Sequence, residues 1–188
     1  MQAKRREAMS LLAGRTRRKC FISYHHADEA EVERFIQTFD HDGDVLIARG
    51  IGASMSGDII NSTNEAYIKS QIRERYLRDT TVTIVLVGRE TWGRKFVDWE
   101  VGASLRNTTT ASASGLLAIT LPSAASYPGK KLPARVGDNL NGETGYARWW
   151  KYPASGEELA RHIETAHAAR AEKADLRSNN RPLRMRNA

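Results

Sequence analysis

The run TVTIVLVG at residues 81–88 constrains the fold more than any other stretch of the chain. An unbroken series of β-branched and aliphatic side chains has no polar face to turn toward water, so it reads as a strand covered on both sides. Such a strand implies a parallel sheet with helices on each face. The flanking pattern agrees. Residues 19–24 form a short apolar strand, and residues 28–39 follow with Ala30, Val32, Phe35, Ile36 and Phe39 at helical spacing. Residues 44–48 read as a second short strand. Residues 61–77 then carry Ser, Thr and Asn as capping candidates, with Glu65 behind them and Ala66, Ile68, Ile72 and Tyr76 as a helical stripe. A helix over residues 96–106, a strand at GLLAITL (115–121), a strand over 148–152 and a helix over 155–173 complete an alternating α/β series.

The expected fold class is a flavodoxin-like doubly wound α/β fold, a parallel sheet of about five strands in the order 2-1-3-4-5. In that topology the connections after strands one and three leave toward opposite faces and open a crevice at the carboxyl ends of the strands, where ligands bind. The turn after strand one contains Tyr24, His25 and His26, and the turn after strand three spans residues 88–95. The glycine-rich loop RGIGASMSGD (49–58), with Ala53 and Ser54, can reach over the same crevice.

Glu100 is the one acid on an apolar stripe of the third helix, because Phe96, Glu100 and Ala103 are spaced to share a face and Trp99 stands beside it. Against aromatic carbon near a crevice, a carboxyl is harder to ionise and couples strongly to any cation formed in a substrate. Its position also fits an acid favoured by the helix macrodipole or paired with an arginine.

Charge is unevenly placed. The formal net charge is +7, yet residues 1–19 hold seven Lys/Arg against one Glu and residues 170–188 hold six against two acids, which leaves residues 20–169 at −3. The chain therefore divides into a basic arm (1–18), a domain (19–173) and a basic tail (174–188), the tail RSNNRPLRMRNA being expected to be flexible unless a partner holds it. Solvated charge is the expected role of both arms, and nucleic acid is not an expected partner. No apolar stretch reaches the roughly 20 residues of a membrane span, the basic N-terminus has no apolar core of a secretory signal, and the lone Cys20 fits a reducing cytoplasm. Residues 122–147, rich in Pro, Gly, Ser and Asn, read as a surface loop with one short helix. Trp149 and Trp150 should split between surface and core.

FISYHHAD (21–28), the glycine-rich loop and TWGRKFVDWEVGASL (91–105) together resemble TIR and TIR-like domains. The aromatic-x-x-x-Glu pattern on the third helix is similar to the NAD-cleaving branch, and the closest likeness is to the ThsB-like TIR proteins of bacterial Thoeris antiphage defence. The resemblance implies an enzyme that cleaves the nicotinamide–ribose bond of NAD and makes an ADP-ribose-type signal. It implies Glu100 as the catalytic acid and Phe96 as the aromatic at the nicotinamide-ribose end. His25 and His26 would contact substrate where some relatives carry arginines, and Asp28 would cap the first helix. It further implies self-association and a downstream effector reached through the nucleotide, with NAD as substrate and no separate cofactor. A noncatalytic interaction module and a nucleotide-binding regulator are the alternatives. Gly50, Gly52 and Gly57 do not form a dinucleotide fingerprint, since Met55 occupies the third glycine position, and the histidines show no metal-ligand spacing.

Overall fold

The structure is a computed structural model that describes residues 16–50, 57–109 and 111–188. Five strands form one parallel sheet in the order β2-β1-β3-β4-β5, with β1 Arg18–Ser23, β2 Leu46–Arg49, β3 Val82–Val87, β4 Gly115–Thr120 and β5 Arg148–Trp150. Every residue of β3 and β4 is buried. This is the doubly wound sheet expected from the sequence.

The helices divide by face. Helix α1 (Glu29–Ile36), which continues as a wider π turn through His41, sends Val32, Phe35 and Ile36 onto one face of the sheet, next to Leu159 and Ile163. Ala30, expected on that stripe, is exposed. The other face carries α3 (Glu65–Arg75) and α4 (Lys95–Ser104), reached through the one-turn α2 (Gly57–Ile60). There Phe21, Ile68, Ile72, Trp99 and Ala103 form one cluster, while Val85, Val87, Val97 and Val101 anchor another. Asn64 caps α3, accepting a 3.1 Å hydrogen bond from the Tyr67 amide. Tyr76 packs at the margin of the cluster, and Ala66 is exposed.

The segment 122–147, expected as a surface loop with one short helix, packs more closely than its composition suggests. It holds two single turns, α5 (Pro122–Ala125) and α6 (Ala134–Gly137), and it closes over the sheet with Val136, Tyr146 and Ala147. The Tyr146 hydroxyl donates to the Ser114 carbonyl at 2.7 Å. The last helix, α7 (Gly156–Glu172), starts at a Ser155 cap. On β5, Trp149 is exposed and Trp150 lies flat on His162 at 3.9 Å, so the pair does split. The tail also departs from expectation. Leu183 is buried, and residues 178–188 hydrogen bond to the domain along their length, because Leu183 and the backbone amides around it find apolar and acidic partners on α3 and α4.

Helix α7 lies so close to β4 that a side chain at Gly115 would run into the Ala166 carbonyl. Gly115→Ala is therefore expected to destabilise the domain by about 2 kcal/mol through overpacking, which thermal unfolding would register as a lower midpoint at unchanged secondary structure.

Candidate functional site

The period of two in β1 sets the inner wall of the site. Phe21 points into the cluster beneath α4, so Ser23, two residues on, faces the same side. Its hydroxyl donates a 2.6 Å hydrogen bond to Glu100 Oε2 on α4. β1 pairs with β3 in register, Ser23 opposite Val85, which puts this contact at the crevice where the chain switches faces. Glu100 is half-buried: water reaches it, but protein surrounds it densely. Burial pushes its carboxyl from 4.5 up to about 7, and the Ser23 hydrogen bond partly opposes that rise.

The turn after β1 supplies the second wall. Tyr24 is half-buried against the first core cluster, His25 is buried and His26 is exposed, the two imidazoles meeting edge to face at 4.4 Å. Burial first, then the positive charge of Arg94, lowers His25 to about 4. His25 is neutral at pH 7, so its 3.7 Å approach to Glu90 is not an ion pair. The cation beside it is Arg94, which pairs with Glu90. Asp28 does not cap α1; its side chain makes no bond to the helix start. It faces the turn after β3 instead, 3.4 Å from the Thr91 hydroxyl, which in turn accepts the Gly88 amide at 2.9 Å. A side chain at Gly88 would run into the Asp28 carboxylate, so the glycine lets the two crevice turns close on each other.

One turn before Glu100, Phe96 is exposed, and its ring meets Trp99 edge to face at 5.6 Å. The Lys95 ammonium covers both rings at 5.0 and 5.2 Å. Trp99, expected beside this stripe, is fully buried and joins the cluster of Phe21, Ile68, Ile72 and Ala103. Ala53 and Ser54 lie outside the described residues. The structure thus brings Glu100 to Ser23 at the end of β1 and groups His25 with His26 and Arg94.

Sequence reasoning missed Ser23, Thr91 and Arg94. The serine was findable, being the last residue of a strand at a switch point and in phase with a buried Phe21. Arg94 and Thr91 carry no periodic signal, and their roles follow from tertiary proximity alone.

Among the described residues no cluster of His, Cys, Asp and Glu is arranged to hold a metal ion. The site instead holds a carboxyl whose proton the fold retains. The folded state binds that proton between 4.5 and about 7 while the unfolded chain releases it, so its contribution is complete below 4.5 and is lost as pH rises through about 7. Glu100→Gln should accordingly be more stable than wild type at pH 8, on the order of 2 kcal/mol, with the difference vanishing near pH 4 in urea unfolding.

The model for the family described as "Thoeris protein ThsB, TIR-like domain" matches residues 21–126, from the middle of β1 past α5, and so takes in Ser23, both crevice turns and Glu100. No curated protein sequence matches the chain. No helix among the described residues is long and apolar enough to cross a membrane. With more than half of its length matched and the sheet order that the sequence led us to expect, the chain belongs to the Thoeris ThsB TIR-like domain family.

Proposed function

We propose that this chain consumes NAD, cleaving the nicotinamide–ribose bond to yield an ADP-ribose-type signal, open or cyclic, in bacterial antiphage defence. The observation that carries the reading is Glu100: an acid with a carboxyl near 7, hydrogen bonded by Ser23 and reachable by water at the switch-point crevice.

The reaction requires little acid catalysis. As the bond from the ribose anomeric carbon to the pyridinium nitrogen breaks, its electron pair leaves with nitrogen, so nicotinamide departs neutral and the ribose becomes oxocarbenium-like. An anion in poorly solvated surroundings stabilises that cation, as the carboxylates of glycoside-cleaving sites do. In its ionised form Glu100 meets this need and can take the proton lost by the nucleophile. Water as nucleophile gives ADP-ribose; an adenine nitrogen or a ribose hydroxyl of the same molecule gives a cyclic isomer. Exposed Phe96, braced by Trp99, offers a flat surface to the nicotinamide-ribose end. Neutral His25 and exposed His26 offer hydrogen bonds, and Arg94 supplies the positive charge that attracts a diphosphate. Assembly of copies and a downstream effector that reads the nucleotide belong to the same reading.

Incubating wild type and Glu100→Gln with NAD and infected-cell lysate, followed by mass spectrometry, tests it. Nicotinamide and an ADP-ribose species should form with wild type and fall by roughly 100-fold or more with Glu100→Gln. Equal turnover by the folded variant, or none by wild type, would overturn the reading, the second result in favour of a noncatalytic interaction module. Because the carboxylate is the active form, kcat/KM should rise with pH through about 7. Ser23→Ala removes the hydrogen bond that lowers the Glu100 pKa, so its pH–rate midpoint should move upward. Phe96→Ala should lower kcat/KM roughly tenfold through lost positioning.

A further inference from the structure

Residues 178–188 run along the outer flank of α4 in the direction opposite to the helix and touch it turn after turn. At its C-terminal end, Asn179 Nδ2 donates to the Gly102 carbonyl at 2.9 Å. One turn earlier, Arg184 bridges two neighbouring residues: its amide donates to Asp98 Oδ2 at 2.8 Å and its carbonyl accepts the Trp99 indole at 2.7 Å. Leu183 is buried beside Trp99 and Ala103. At the start of the helix, Asn187 Oδ1 accepts from the Lys95 amide at 2.9 Å, and the Ala188 amide donates to the Gly93 carbonyl at 3.0 Å.

Two features show that α4 depends on these contacts. The residue before it, Arg94, makes no side-chain cap bond, so Asn187 provides from far along the chain the acceptor that a local Ser, Asp or Asn would normally provide. Fully buried Arg135 uses all five of its donors at this junction. Two go to the Asp98 carboxylate, at 3.0 and 3.2 Å, and three go to Asn179 Oδ1 and the carbonyls of Arg181 and Pro182. The helix makes room as well. A side chain at Gly93 would come within 3.1 Å of Ala188, and one at Gly102 within 3.1 Å of Leu183. Glu100, meanwhile, reaches Ser23 on the sheet side of the same helix. All of these strap residues lie beyond the stretch 21–126 that the family model matches.

We propose that residues 178–188 are a strap that holds α4 in the position from which Glu100 meets the crevice, with Asn187 as a positioning residue acting through the first turn of the helix. The consequence for turnover rests on the NAD-cleaving reading; the hold on α4 does not.

Two substitutions in the full chain and one truncation test this: Asn187→Ala, Asn187→Asp, and a chain lacking residues 184–188, which retains Leu183 and the Arg135 contacts. For each, amide hydrogen exchange over residues 95–100 is compared with that of β3, and nicotinamide release is measured as kcat and KM. Asn187→Ala should exchange roughly five- to tenfold faster in the first turn of α4, with β3 unchanged. Its kcat should fall roughly tenfold at little changed KM, and Asn187→Asp, which retains the acceptor, should restore both. The deletion should act in the same direction more strongly. Unchanged exchange over 95–100 in the folded deletion form would overturn the strap. Faster exchange with equal or higher turnover would also overturn it, since the segment would then restrain the acid. If wild type releases no nicotinamide, the NAD-cleaving reading fails, and exchange alone decides whether the strap holds the helix.

Discussion

One short contact, from the Ser23 hydroxyl to the Glu100 carboxyl, depends on most of the architecture around it. It forms because β1 and β3 are adjacent and parallel and because α1 and α4 leave them toward opposite faces. A residue at the end of β1 can then meet a helix that begins just after β3. Had the two helices packed on one face, no crevice would separate the turns. The same packing that creates the contact partly desolvates Glu100 and makes its ionisation costly, so the chemistry proposed for this acid follows from the core as much as from the residue.

Helix α4 is consequently held from two sides by different means. Its inner residues Val97 and Val101 pack into the sheet, and its outer residues Asp98, Trp99 and Gly102 are tied by Arg135 and by residues 179–184. The pair Asp98–Arg135 is almost entirely buried, and the burial of two charges is tolerable because carbonyls and amides satisfy the remaining donors and acceptors. Losing either partner would leave an uncompensated charge in the interior directly beneath the helix that bears the acid.

The sheet order was legible because β3 and β4 are apolar throughout and the helices between strands keep a clear period. Glu100 was legible for a related reason, as an acid interrupting an apolar stripe. The packing of the tail and of the segment 122–147 was not legible because their composition is that of loops, whereas their placement is decided by single anchors, Leu183, Arg135 and Tyr146, whose partners lie tens of residues away. Asp28 was misread as a local cap for the same reason: the sequence shows its neighbours along the chain and conceals Gly88 and Thr91, which the fold brings to it. His25 showed its residue type but not its burial, and burial is what keeps it neutral.

The most direct test of the central claim is a carbon-13 NMR titration of the Glu100 side-chain carboxyl, assigned by comparison with Glu100→Gln, with and without NAD. The account predicts a midpoint near 7 in the free protein, moving lower when the positively charged nicotinamide is bound. A midpoint near the ordinary 4.5 that NAD leaves unchanged would contradict it, because the acid would then be neither desolvated by the fold nor in contact with the substrate.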